Sequence, residues 1–378
     1  MHFYISRNDF LLAISTVEKF VPSKTPLSIL SGIKFDIDEE GLLYLSATDV
    51  DMGIRYTIQN RVANMHIEER GSVVVPAKLL SEMARKLPPG NVEFRQQGHQ
   101  VHIIAGDFNM VLPGLDANDF PKIVGQNLTR VLEYNQRDFK DMIKKTVYAR
   151  AEDSTSRPQL TGVLLESKGG ILNAVALDGF RIAWRWENLD KSYENFSIIV
   201  PGATLMEVIR VFSDGDDTFE LHYGKNRIEF TTENFVISSR VLEGAFIDYE
   251  KVVAVTPNTF VQIETADMLS AVERANLIAR EGNRNSLFHM NISQVCLEVE
   301  ADSELGSITD RHQCNISGDG LQISFNAKFF IEALRSLEAT EVSMTFSGDT
   351  GPCIMKPVGQ DNYLNYILPV KTRRGDNY

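Results

Sequence analysis

FYISRNDFLLAISTVEKF (residues 3–20), LEYNQRDFKDMIKKTVYA (132–149) and VQIETADMLSAVERANLIA (261–279) share one pattern, and it decides the fold. Each opens on a short alternating or β-branched run, as a half-buried strand does. Each continues with apolar residues at the three- and four-residue spacing of a helix face. Aligned on Asp-Phe, Asp-Phe and Asp-Met, the anchors Phe10, Phe139 and Met268 lie 129 residues apart both times. A second trio follows: VVVPAKLLSEMARKL (73–87), IIVPGATLMEVIRVF (198–212) and ISFNAKFFIEALRSL (323–337). Its anchors, Pro76, Pro201 and Asn326, lie 125 residues apart both times. Generic strand–helix alternation does not hold one offset twice, so the chain reads as a triplication. Proline is expected at the first helical position in the copies at Pro76 and Pro201, where its missing N–H would have no partner anyway.

Outward from these anchors, the polar stretches 124–130 and 254–259 divide the chain into domains 1–125, 126–255 and 256–378, a common domain size. Between the helices strands dominate. Runs 33–38 and 42–47 flank Glu39-Glu40-Gly41, and runs 162–166 and 171–176 flank Lys168-Gly169-Gly170, both hairpin signals. The expected fold class is α+β: three repeated domains, each with two helices packed on antiparallel sheet.

The net charge of −13 argues at first against a nucleic-acid partner, because an acidic surface repels a polyanion. Its distribution changes the argument. Arg137, Lys140, Lys144, Lys145 and Arg150 outnumber Asp138 and Asp141 along the first helix of the second unit. Lys78, Arg85 and Lys86 face one Glu82 in the second helix of the first unit, with Arg210, Lys328 and Arg335 in the matching helices. Acidic residues gather instead at 36–40, 214–217 and 298–304. On one helix such lysines are simply a solvated face. Over three repeats they describe a body with basic helices on one side, which curled into a ring would have a basic hole. DNA would then be held by enclosure, with weak backbone contacts.

Chemistry is hard to find. There is no Walker A loop, no GxGxxG after a strand, no GxSxG and no HExxH, so an enzyme is not expected. His99 and His102 lie close together without a cysteine or acidic cluster to complete a metal site, and Asp49-Val50-Asp51 and 214–217 lack calcium-loop spacing. Neither cofactor nor metal is expected. The three cysteines have no CxxC spacing and read as reduced thiols of a cytoplasmic protein. No run approaches the twenty or so apolar residues of a membrane span, and residues 1–7 alternate like a strand rather than a signal peptide.

Several further segments carry a family resemblance: Leu27-Ser28-Ile29-Leu30, Ser156-Arg157-Pro158-Gln159-Leu160-Thr161-Gly162-Val163, Leu177-Asp178-Gly179-Phe180-Arg181-Ile182-Ala183, Arg240-Val241-Leu242-Glu243-Gly244 and Ile367-Leu368-Pro369-Val370. In this order and with the triplication, the chain resembles the bacterial DNA polymerase III β subunit, the β sliding clamp family, along nearly its full length. The resemblance implies a head-to-tail homodimer ring, six domains around duplex DNA without sequence preference, with helices inside and sheets outside. It implies short peptide motifs, on the DNA polymerase and on an ATP-dependent clamp loader, that dock between the second and third units. Matching groove positions are Leu160, Leu177, Gly179, Phe180, Arg181, Ile182, Ile247, Val252, Pro352, Ile367, Leu368, Pro369 and Val370, an aliphatic site with one arginine at its rim. By the same transfer Lys24, Lys78, Arg85, Arg157 and Arg210 face DNA, and Phe108, Leu277 and Ile278 form the dimer interface. This chain departs from the family at Leu177 and Phe180 (usually threonine and histidine), at Ile247 (usually proline) and in the basic tail 371–378. An altered peptide preference is expected. The alternative function is a three-repeat peptide-binding scaffold that does not encircle DNA.

Overall fold

The computed structural model describes residues 1–59, 65–125, 128–153, 155–282 and 286–371. Their helices are α1 (Arg7–Val17), α2 (Ala77–Ala84), α3 (Gln136–Lys144), α4 (Gly202–Val211), α5 (Tyr249–Val253), α6 (Thr265–Gly282) and α7 (Ala327–Leu337). Setting aside the short α5, these are the two expected trios: α1, α3 and α6 hold the first anchors, and α2, α4 and α7 follow the second. Phe10, Phe139 and Met268 are each fully buried. Phe139 shows why the position is large and apolar, since its ring lies 5.0 Å from Phe219, 5.8 Å from Phe230 and 5.9 Å from Phe212.

The helix starts differ in their chemistry. Asn326 caps α7, its side-chain oxygen accepting from the backbone N–H of Lys328 and of Phe329. Pro76 lies one place earlier than expected: it is the last residue of the strand Gly71–Pro76 and the residue before α2, not the first helical one. Pro201 likewise ends the strand Phe196–Pro201. A strand's terminal residue can lack an N–H without breaking the ladder, so proline serves as the stop of one element and the entry to the next.

The chain divides into two compact units, Met1–Phe139 with Ala203–Val241, and Lys140–Gly202 with Leu242–Tyr378. In the first unit a five-stranded sheet runs 66–69, 2–6, 91–97, 100–105, 108–113, and an eight-stranded sheet runs 129–135, 218–223, 227–231, 235–240, 52–58, 43–48, 32–37, 71–76. In the second unit a nine-stranded sheet runs 196–201, 162–168, 171–177, 181–188, 363–367, 353–357, 341–346, 259–264, 315–318, and a four-stranded sheet runs 306–312, 297–303, 287–292, 321–326. The hairpin strands read from sequence are present as Gly32–Ile37 with Leu43–Thr48 and Gly162–Lys168 with Ile171–Leu177.

Two pairings join strands from different repeats. Phe235–Arg240 bonds to Met52–Ile58, with Ile237 opposite Ile54. Tyr363–Ile367 bonds to Arg181–Asn188, with Ala183 opposite Asn365. In both, the last strand of one repeat meets the third strand after the first helix of the preceding repeat. The middle repeat therefore contributes to both compact units. No helix among the described residues is long and apolar enough to cross a membrane.

Candidate partner-peptide groove and ring-closing edges

The candidate groove residues at 177–182 and 367–370 are brought together by the second of these junctions. Arg181 stands opposite Ile367 across the paired strands, and the Leu368 N–H donates to the Phe180 carbonyl at 2.9 Å. This brings 177–182 beside 367–370. Beyond it, the Val370 N–H donates to the Ser324 carbonyl at 2.8 Å. The turn before Arg181 is set by its own sequence: the Asp178 carboxylate accepts from the backbone N–H of Phe180 at 2.9 Å and of Arg181 at 3.1 Å. Gly179 has φ 96°, and a side chain there would meet open space. The left-handed torsion, not crowding, calls for glycine.

Six of the expected groove residues are buried, Arg181 among them. Leu160, Leu177 and Ile182 belong to one buried cluster with Tyr249, Leu364 and Tyr366, and half-buried Val252 packs against it. Ile367 is buried in the neighbouring core, and Pro352 is buried as well. Exposed apolar surface comes from three of the expected residues: Phe180 at 62%, Ile247 at 38% and Leu368 at 37%. Pro369 and Val370 are half-buried.

Arg181 is not at the rim. Only 7% of its side chain is exposed, and its guanidinium is paired with Asp178 at 3.0 Å and with Glu332 of α7 at 2.5 Å. It donates to the Tyr148 carbonyl at 3.0 Å and lies over two rings, 4.4 Å from Phe329 and 5.3 Å from Tyr148. A charge this desolvated persists because two carboxylates neutralise it and each of its three nitrogens donates a hydrogen bond. Tyr148 in turn donates to Asn365 at 2.5 Å, while the Tyr363 hydroxyl donates to the Lys145 carbonyl at 2.7 Å and lies 2.6 Å from Ser336. Burial pushes the Tyr148 phenol up, and the Tyr363 phenol well up, from the ordinary range, so both remain protonated donors. Phe329, Glu332 and Tyr148 were not singled out from sequence. Phe329 and Glu332 lie three and six residues after Asn326, on a helix whose neighbours only the fold reveals.

The expected DNA-facing residues Lys24, Lys78, Arg85, Arg157 and Arg210 are all exposed. Arg85 and Arg210 are engaged with Glu18 and Glu207. Lys145 does not add to a free basic face: it is 11% exposed and pairs with Asp141 at 2.7 Å.

The expected interface residues belong to the margins of two sheets. Phe108 begins the outer strand Phe108–Pro113 of the five-stranded sheet. Leu277, 53% exposed, and half-buried Ile278 lie on α6, which packs against the strand Gly306–His312 at the outer side of the four-stranded sheet. Phe108–Pro113 is the last strand of its repeat, and Gly306–His312 is the third strand after the first helix of its own.

Comparison with known proteins gives concordant matches. Residues 1–124, 133–248 and 251–371 match the N-terminal, central and C-terminal domain models of the DNA polymerase III beta subunit. The beta sliding clamp of Halalkalibacterium halodurans is 30% identical over 381 residues, covering 98% of this chain and all of that protein. The beta sliding clamp of Staphylococcus aureus is 30% identical over 378 residues with the same coverage. The crystal structure of the Bacillus subtilis DNA polymerase sliding clamp superposes with a TM-score of 0.93 at 28% identity, over 99% of this chain and all of the other. The Thermotoga maritima DNA polymerase III beta subunit gives 0.91 at 25%, again over 99% and all.

Proposed function

Because the chain belongs to the DNA polymerase III beta subunit family, we propose that two copies close head-to-tail into a ring around duplex DNA and tether the replicative polymerase to it. The observation that carries this reading is the pair of strands left over by the repeat rule. Each junction within the chain joins a last strand to a third strand. Within one chain Phe108–Pro113 and Gly306–His312 are outer strands of their sheets, and an unpaired strand edge seeks a partner. Pairing them between copies satisfies both edges twice and gives a closed two-fold assembly. Phe108, Leu277 and Ile278 are its apolar contacts.

The three domains, 1–125, 126–255 and 256–378, then number six in the ring. Lys24, Lys78, Arg85, Arg157 and Arg210 meet phosphates without reading bases, which keeps the duplex free to slide. The protein acts by topology rather than catalysis and needs no cofactor. The chain has no nucleotide-binding motif, so opening the ring falls to an ATP-dependent loader. Polymerase and loader dock by short peptides in the groove floored by Leu160, Leu177, Ile182 and Val252 and bounded by Phe180, Ile247, Leu368, Pro369 and Val370. The compartment is the cytoplasm.

Loading the protein on nicked circular DNA tests this. Retention is expected to persist on the circle and to vanish when the circle is cut, because a ring slides off an end. Equal retention on linear DNA, or a monomer by sedimentation, would favour a peptide-binding scaffold that encircles nothing.

A further inference from the structure

A polar cleft of about 1670 Å³ lies over the four-stranded sheet, on the face turned away from α6. Strand alternation makes it polar. Phe288, Met290, Val299 and Ala301 are buried in the core with α6, which turns His289, Asn291, Glu300 and Asp302 to the other side. Ser324, His289 and Glu300 form one row across three strands, with His289 Nδ1 2.7 Å from the Ser324 hydroxyl. Four carboxylates line the cleft, those of Glu300, Asp302, Asp319 and Asp349, and Lys371 is the one lysine or arginine among its described lining residues. A strand edge and the end of the chain meet there. Leu321–Asn326 is the outer strand of its sheet, and the Val370 N–H donates to its Ser324 carbonyl at 2.8 Å. The chain thus enters the cleft along an open edge, which takes up an extended segment through its backbone groups. Residues 372–378 lie outside the described residues and read Thr-Arg-Arg-Gly-Asp-Asn-Tyr.

We propose that this cleft is the docking site of the chain's own basic end, residues 371–378, with Arg373 and Arg374 set against the carboxylates of Glu300 and Asp302. The reach is sufficient. An extended chain advances roughly 3.3 Å per residue, which carries it about 7 and 10 Å past Lys371 by Arg373 and Arg374. Glu300 and Asp302 stand two strands in from the edge, a distance of about 10 Å at the usual spacing between strands. A long arginine side chain covers what remains. Exposed ion pairs are individually weak, but a segment already held at Val370 meets its site at an effective concentration of roughly millimolar. Docking fastens the end of the chain that carries Leu368 and Val370.

Trypsin cuts after Arg373 and Arg374, so limited digestion of the full-length protein, followed by intact mass, tests the docking. Release of the last residues is expected to be at least about fivefold slower in the parent than in the double variant Glu300→Gln/Asp302→Asn, because cleavage tracks the undocked fraction. Both side chains face away from the core, so this variant should melt as the parent does. Added salt should bring the parent's rate toward the variant's. Glu39→Gln/Glu40→Gln, on a hairpin of the other compact unit, removes the same charge and should leave the rate unchanged. In a second measurement, a fluorescent peptide with the sequence of residues 371–378 should bind a chain shortened to residue 370. It should bind the full-length chain at least about fivefold more weakly, since the tethered end competes for the site. Equal release from parent and Glu300→Gln/Asp302→Asn, an equal acceleration in the hairpin control, or equal peptide binding by the two chains overturns the proposal.

Discussion

At the scale of single residues, the molecule's sharpest environment surrounds Arg181. Its sequence neighbours gave no sign that it would be buried, since a lone arginine beside a glycine turn usually faces water. What buries it is two carboxylates and two rings, and two of those four groups are on α7, 148 and 151 residues away in sequence. The adjoining tyrosines lead to a measurable consequence. Burial raises the phenols of Tyr148, Tyr249 and Tyr363 above the ordinary value, which is about 10. The folded state thus favours their protonated forms, a contribution complete below about pH 10 and lost as pH climbs beyond it. Ultraviolet titration of the native protein should leave part of its eleven tyrosines un-ionised at pH 11, with all ionising in urea, and the urea midpoint should fall above pH 10 and not below. Full ionisation of the native protein at pH 11 would contradict these burials.

At the scale of elements, the repeat is visible as three first helices and three second helices, but each copy solves its termini separately. The third second helix, α7, has an asparagine cap where the other two follow a strand-ending proline. Asn326→Ala should therefore lower stability by about 1 kcal/mol. Ser6→Ala, which removes the side chain that accepts from Asp9 at the start of α1, should have a comparable effect. Denaturant unfolding of each variant checks both. A loss well below half this size at Asn326 would mean that the strand Leu321–Asn326, not the cap, fixes where α7 begins.

At the scale of the whole molecule, the proposed ring puts the contact between copies at the open strands and the exposed Leu277. Leu277→Glu adds a charge at a position already 53% exposed, so the isolated chain should fold and melt as before. Placed in an interface, the same charge is desolvated and unpaired. Sedimentation should show the dimer shifting to monomer by at least about tenfold in dissociation constant, and DNA retention on circles should fall in parallel. A dimer of unchanged affinity would move the interface elsewhere.

The triplication, the α+β class and the places of both helix trios were legible in the sequence, because they depend on local periodicity and on two offsets that any reader of residue numbers can check. Phe10, Phe139 and Met268 marked their cores for the same reason: a helix face toward a sheet needs a large apolar residue at one fixed place. The apolar residues of the candidate groove were named only through the family resemblance, since Leu160, Leu177 and Ile182 are indistinguishable by sequence from any core residues. What the tertiary structure alone decided is the character of the rim. Whether Arg181 faces solvent depends on Glu332 and Phe329 arriving from another repeat, and whether the Phe180 ring is loose or stacked on Phe329 depends on the same helix. The local chain specifies helix faces, strands and turns. The pairing of a last strand with another repeat's third strand is long-range, and that pairing sets which side chains meet.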